Sequence, residues 1–306
     1  MTDVELLGAT PPAPSEPVDG GGTSTLAAYA AGHGLTRSGA RPSLPAYTRQ
    51  LWQRRQFILA YARARNAAAY SESALGQLWQ VITPLLNAAV YFFVFGLLLK
   101  TRAGVDNFIA FLVTGVFIFN YTQRATIGGA NSVTSRLGLV RALHFPRATL
   151  PLATVVMELQ QLLFALLVLL AIVLGTGESV TTSWLLIVPA LALQTLFNAG
   201  VAFACARLTT RLRDLQQLLP FLLRTLQYAS GVFYSIAKFG KNAPEPVRLF
   251  LEGNPVAVYI ELVRGALLHG YRVPTYAWPL AVLWAVVVFG LGYVYFWKAE
   301  EKYGRG

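Results

Sequence analysis

Four aspartates, Asp3, Asp19, Asp106 and Asp214, and three histidines, His33, His144 and His269, could share a metal or move a proton, and all lie far apart in sequence. Membrane glycosyltransferases and phosphotransferases gather carboxylates around a cation or phosphates, so this scatter argues against such an enzyme. No metal-ligand spacing appears. Cys205 is the one cysteine and sits in an apolar run, which leaves no thiol pair for redox or metal work. An ATPase phosphate loop ends in Lys-Ser or Lys-Thr, whereas Gly240-Lys241 here runs on into Asn242. The chain cannot bind ATP by that route.

Arg224 and Glu158 are ionisable residues inside long apolar runs. A charge facing lipid costs about 2.5 kcal/mol or more, so Arg224 needs protein, water or a substrate anion beside it, or must reach the cytoplasmic headgroups along its own stem. Glu158 falls near the inner end of its run, where a structural role suits it. An Arg224–Glu158 pair is one way to satisfy both.

The elements that hold these residues follow from composition. The 306 residues are 55% hydrophobic and only 13% charged, with a mean hydropathy of +0.50. That is a membrane composition. A helix needs about 20 mostly apolar residues to cross a bilayer, and six segments are predicted to do so: 78–99, 107–127, 150–175, 184–206, 215–236 and 277–297. The class expected is an all-α integral membrane protein. A stand-alone secondary transporter would carry an internal repeat, and none is visible.

The net charge of +11 could serve a nucleic acid or sort loops across a membrane, and placement decides for the membrane. Arg136, Arg141 and Arg147 follow the second segment, Arg207, Arg211 and Arg213 the fourth, and Lys298, Lys302 and Arg305 the sixth. The alternate loops hold Lys100 and Arg102 after the first segment and none after the third; the loop after the fifth is the exception, with Lys238, Lys241, Arg248, Arg264 and Arg272 partly balanced by Glu245, Glu252 and Glu261. Both termini should therefore be cytoplasmic, in the plasma (inner) membrane.

Residues 1–44 are rich in Pro, Gly, Ser and Thr and read as a disordered cytoplasmic tail ahead of a membrane domain over 45–306. From Pro45 to Tyr70 a basic helical stretch mixes Trp52, Phe57 and Tyr61 with Arg54, Arg63 and Arg65, suiting a membrane interface. Between the fifth and sixth segments, Val256, Tyr259, Ile260, Val263 and Leu267 recur at near-helical spacing after Asn254-Pro255. One or two short helices dipping into the outer leaflet, or an ordinary surface helix, would fit. After the second segment, Leu139, Val140 and Leu143 give one apolar face beside Arg136 and Arg141, and the helix must stop before Pro146. This face suits docking into a partner's groove or lying on headgroups.

Several local patterns then fall in a consistent order. Leu75-Gly76 precedes Trp79, and Thr83-Pro84-Leu85 follows. His144-Phe145-Pro146-Arg147 leads into Leu150-Pro151-Leu152. Gly231-Val232-Phe233-Tyr234-Ser235 closes the fifth segment, and Asn254-Pro255 comes before Glu261-Leu262-Val263-Arg264. Over roughly residues 45–300 this set resembles ABC-2 type permeases, and more narrowly the permeases that export lipid-linked polysaccharides such as O-antigens, teichoic acids and actinobacterial galactan.

The resemblance implies a homodimer of six-span subunits, each docked on a separate nucleotide-binding ATPase subunit that holds the ATP and Mg, with no cofactor in this chain. It implies an interfacial helix over about Tyr47–Tyr70, and re-entrant outer helices over about Val247–Leu268. It also implies a coupling helix over about Arg136–Phe145, so that Arg136, Leu139, Val140, Arg141, Leu143, His144, Phe145 and Pro146 would meet the ATPase. Sugar rings stack on aromatic faces, and Tyr91, Phe95, Phe117, Phe119, Tyr121, Phe233 and Tyr234 are the candidates for a glycan channel, although aromatics equally serve as core or interface belts. Arg224, Arg63 and Arg65 would meet a lipid-borne pyrophosphate at a gate. A drug exporter of the same architecture is the nearest alternative. Alanine and arginine usage fits a GC-rich actinobacterium, and through it galactan.

Overall fold

The computed structural model describes residues 41–71, 74–98, 107–138, 145–240 and 243–303. Those residues form helices joined by short turns. α1 (Leu44–Gln53) has Pro45 in its first turn, where a missing N–H costs nothing. It gives way at Arg54, with φ −90° and ψ 9°, to α2 (Arg55–Ala68). The stretch expected as one interfacial helix is thus two helices that meet at Arg54. Beyond it Ile58, Ala62 and Asn66 are buried four residues apart, as one stripe laid on the helix that starts at Thr149.

Gly76, with φ +50°, turns the chain into α3 (Trp79–Tyr91). α3 then widens into a π-helical stretch over Phe92–Leu98, a geometry often kept for functional positions. Asn107 caps α4 (Phe108–Asn131): its Oδ1 accepts the Ala110 N–H at 3.1 Å. Its amide donates to Thr176 Oγ1 at 2.9 Å and Glu178 Oε1 at 3.1 Å, tying the start of α4 to the end of α5 (Thr149–Gly175). A 3-10 turn, Thr182–Leu186, runs into α6 (Ile187–Arg211), and α7 (Leu215–Ala229) follows.

The fifth predicted span, 215–236, ends early. Gly231 has φ +63°, and a Cβ there would sit 2.6 Å from the Ile236 side chain, so the chain reverses where only glycine fits. α8 (Ile236–Phe239), α9 (Glu245–Gly253) and α10 (Pro255–Leu267) come next. α10 is buried along nearly its whole length against α4, α6 and α11 (Ala277–Trp297), which excludes a surface helix there.

Among the described residues, three helices are long and apolar enough to cross a membrane: Thr149–Gly175, Thr182–Arg211 and Ala277–Trp297. The protein is a helical membrane protein. α4 lies at its centre, packed on α5, α6 and α10. α6 and α11 approach through Gly200 and Gly292, and α4 meets α6 where a Cβ on Gly129 would sit 2.5 Å from that of Ala202. Close backbones at small residues are how helices gain contact in a solvent as apolar as themselves.

Candidate functional site

The end of α2, the start of α3 and the facing stretches of α4 and α5 enclose a cleft of about 480 Å³, counting the space open to its surroundings. Tyr70, Trp79 and Phe117 wall it. Polar groups on α2, α4 and α5 are linked behind it: Arg65 Nη1 donates to Thr154 Oγ1 at 3.0 Å, Arg124 Nη1 to Gln161 Oε1 at 3.1 Å, and Gln161 Nε2 to Asn66 Oδ1 at 3.3 Å. Glu158, 8% exposed, lines the same space. The cations that face it are Arg124 and Arg65, and not Arg224. Burial lowers the Arg65 pKa, and the Glu158 charge opposes that shift. Two oxygens in this cleft, Gln80 Oε1 and Glu158 Oε2, are buried without a partner.

The aromatic candidates separate into distinct places. Phe95 stacks on Phe233 with ring centroids 4.7 Å apart, and Tyr91 and Tyr228 flank the same ring at 5.4 and 5.5 Å. Tyr234 packs on Phe239 at 5.2 Å. Phe117 and Tyr121 line the cleft, and the Tyr121 hydroxyl pairs with Thr195 Oγ1 at 2.9 Å. Phe119 is wholly enclosed in the packed core. Arg63 is exposed on α2. Arg224 is exposed on α7, on a side shared with Phe221 and Tyr228.

The loop after α4 begins with the turn Thr134–Arg136. Leu139, Val140, Arg141, Leu143 and His144 lie outside the described residues. Both flanks of that loop rest on α2: the Arg136 guanidinium lies 5.2 Å from the Tyr61 ring centroid, and Phe145 packs against Phe57 at 6.0 Å. Pro146 is buried. Just beyond, the Arg147 N–H donates to Glu300 Oε1 at 2.9 Å, and Arg147 Nη1 also donates to the Glu300 carbonyl. Tyr47 OH donates to Glu300 Oε2 at 2.7 Å and accepts the Ala148 N–H at 3.1 Å.

The ABC-2 type transporter family matches residues 55–268, more than two thirds of the chain. The chain belongs to that family. It is similar to the O-antigen export system permease protein RfbA of Klebsiella pneumoniae, 27% identical over 202 residues that cover 66% of this chain and 76% of that one. The O-antigen export system permease protein RfbA of Myxococcus xanthus is 27% identical over 253 residues, 83% of this chain and 93% of its own. The polysialic acid transport protein KpsM of Escherichia coli is 23% identical over 240 residues, 76% and 89% of the two chains.

Among the described residues of this ABC-2 domain, one buried cation that sequence reasoning met only in a charge count and a local pattern holds several carbonyls. Arg264 is fully buried on α10 and donates to three carbonyls, Gly231 O at 2.9 Å, Val232 O at 2.9 Å and Phe111 O at 3.2 Å. Its guanidinium lies 3.4 Å from the Phe111 ring centroid. Glu261 supplies the counter-charge at 3.4 Å and also accepts from the Tyr271 hydroxyl at 2.8 Å. The carbonyls freed where α7 stops are thus satisfied by one planar fork, which lysine could not match. An arginine inside the predicted short helix, ten residues after Asn254, was the available signal.

Proposed function

We propose that this chain is the permease subunit of an ABC exporter that moves a lipid-linked polysaccharide outward across the plasma membrane. The observation that carries the reading is the membership of the ABC-2 family together with relatives named for O-antigen and polysialic acid export. The polar, aromatic-walled cleft supports it, since a glycan asks for flat rings and hydrogen-bonding groups side by side. ATP is hydrolysed by a separate nucleotide-binding subunit, and galactan is one candidate cargo.

In this reading each subunit spans the membrane six times, with α3, α4 and α7 joining α5, α6 and α11, and both termini face the cytoplasm. Arg224 and its exposed neighbours on α7 argue for a homodimer, because an arginine held against lipid is costly and a second copy, or the path between copies, removes that cost. Arg63 and Arg65 on α2 offer cations to a pyrophosphate arriving from the inner leaflet. The loop 136–146 receives the push of the ATPase and passes it to α2 through Phe57 and Tyr61.

Deletion of the gene in its host tests the reading. Surface polysaccharide should disappear while lipid-linked glycan accumulates inside, and the purified chain should carry an ATPase subunit with it. Normal surface polysaccharide, or purification with no ATPase in any lipid, would overturn the assignment.

A further inference from the structure

A groove between α9 and the start of α11 holds about 470 Å³ and is walled by Leu249, Gly253, Leu280 and Leu283. Leu249 and Leu283 are more than half exposed. α11 is long and apolar enough to cross a membrane, so its first turns lie near headgroup depth, where Tyr276 and Trp278 suit the interface. Val286 and Val287, one turn beyond Leu283, are exposed as well. In a bilayer that surface meets acyl chains, and the groove continues it. Its volume is within the range of about 300–1,000 Å³ usual for small-ligand sites.

One end of the groove is polar. Glu252 and Tyr276 line it and also a second space of about 230 Å³ that reaches Glu261. Glu261 is held by Arg264 and by the Tyr271 hydroxyl. Glu252 meets Arg248 at 3.8 Å, longer than a hydrogen bond. Burial, then the charges of Glu252 and Glu261, push the Tyr276 pKa up to about 12, with Arg248 opposing. Both carboxylates thus make the junction of the two spaces negative, and Arg248, about half exposed, stands at its edge. A ligand suited to this place has an alkyl chain, a cation that donates hydrogen bonds and an anion within reach of an arginine. An ethanolamine phospholipid has all three. A choline head has no N–H to donate, and a glycerol head brings no cation.

We propose that the groove between α9 and α11 binds a bilayer phospholipid with an ethanolamine head, its acyl chain along Leu249, Leu280 and Leu283, its ammonium donating to Glu252 and its phosphate facing Arg248. This goes beyond the export reading, because the lipid is a resident of the protein and not its cargo.

The test uses the full chain, purified with whatever subunits accompany it, in nanodiscs of equal parts dioleoyl phosphatidylethanolamine, phosphatidylcholine and phosphatidylglycerol. Native mass spectrometry after release into detergent should find the ethanolamine lipid retained about threefold or more above either of the others. Glu252→Gln should erase that preference while leaving the total lipid retained unchanged. A Cβ on Gly253 has nothing within 4 Å, so Gly253→Leu fills the groove without a clash and should lower the retained ethanolamine lipid about fivefold. The same lipid with a diazirine on its acyl chain should label peptides of α9 and α11 in wild type and spare them in Gly253→Leu. Should Gly253→Leu fail to purify as wild type does, Glu252→Gln and the wild-type labelling decide. Equal retention of the three lipids, an unchanged preference in Glu252→Gln, or labelling that misses α9 and α11 would overturn the proposal. So would a disulfide between two copies of Leu283→Cys, which would give the groove to a second chain.

Discussion

The Tyr47 hydroxyl lies 2.7 Å from Glu300 Oε2 and joins the first described helix to the last described turn. The same hydroxyl accepts from the Ala148 backbone, so one side chain links α1, the start of α5 and the C-terminal turn. Nearby, Arg41 lies 4.2 Å from the Trp297 ring centroid, and the Trp297 indole donates to the Pro42 carbonyl at 3.0 Å. Tyr47→Phe keeps the ring and strands a buried carboxylate oxygen and an N–H. It should cost about 1–3 kcal/mol, read as a lower melting temperature of the purified protein, whereas the exposed Arg49→Ala should shift it little.

Glu300 also sets a pH dependence. Burial pushes its carboxyl above the ordinary carboxylate range, while donation from Arg147 and Tyr47 pulls the other way. With the folded pKa above the unfolded one, the folded state binds the proton more tightly. That contribution is complete below the unfolded pKa, about 4.3, and is lost as pH rises through the folded value. Melting temperatures of wild type and Glu300→Gln from pH 4 to 8 should therefore differ in slope, with the variant losing less stability as pH rises. Parallel curves would show that Glu300 titrates as it does in the unfolded chain.

Arg264→Lys and Arg264→Gln test the fork that closes α7. Either change leaves the carbonyl of Gly231 or Val232 without this donor and weakens or removes the partner of Glu261 in a buried setting. A loss of about 3 kcal/mol or more is expected, seen as a collapse of the single gel-filtration peak in detergent. Lysine should not rescue, because the role depends on planar geometry as well as charge.

The α6–α11 crossing makes a sharper packing prediction. A Cβ on Gly292 would fall on the Gly200 backbone, and one on Gly200 would meet the Phe289 nitrogen at 2.5 Å. Gly290, two residues away on the same helix, has nothing within 4 Å of that position. Gly292→Ala should therefore destabilise by about 1–3 kcal/mol through overpacking, and Gly290→Ala should be neutral or slightly stabilising. Equal effects at the two glycines would contradict the crossing.

The long apolar runs were readable because a bilayer demands about 20 such residues in a row, and α5, α6 and α11 keep the expected bounds within a few residues. Interruptions were harder to read. The early end of α7 depends on Gly231 and on an arginine more than thirty residues later. The cleft draws residues from four helices, so no local pattern marks it. Glu158 was matched with Arg224 because distance in sequence says nothing about which helices touch.

Phe145 and Phe57 carry the last prediction. Their rings pack at 6.0 Å while Arg136 lies over Tyr61, so the loop after α4 touches α2 at both of its described flanks. If that loop receives the ATPase, then α2 moves with it, and the cleft beneath α2 opens or closes in step with ATP turnover. Phe145→Asp adds a charge to this contact without entering the membrane core. It should preserve insertion and dimer formation, abolish export, and lower substrate-stimulated ATP turnover about tenfold. Phe57→Ala should lower export while leaving ATPase association intact, since its partner is the loop rather than the ATPase. Turnover and export measured together in proteoliposomes check both variants, and wild-type export by Phe57→Ala would show that α2 does not relay the stroke.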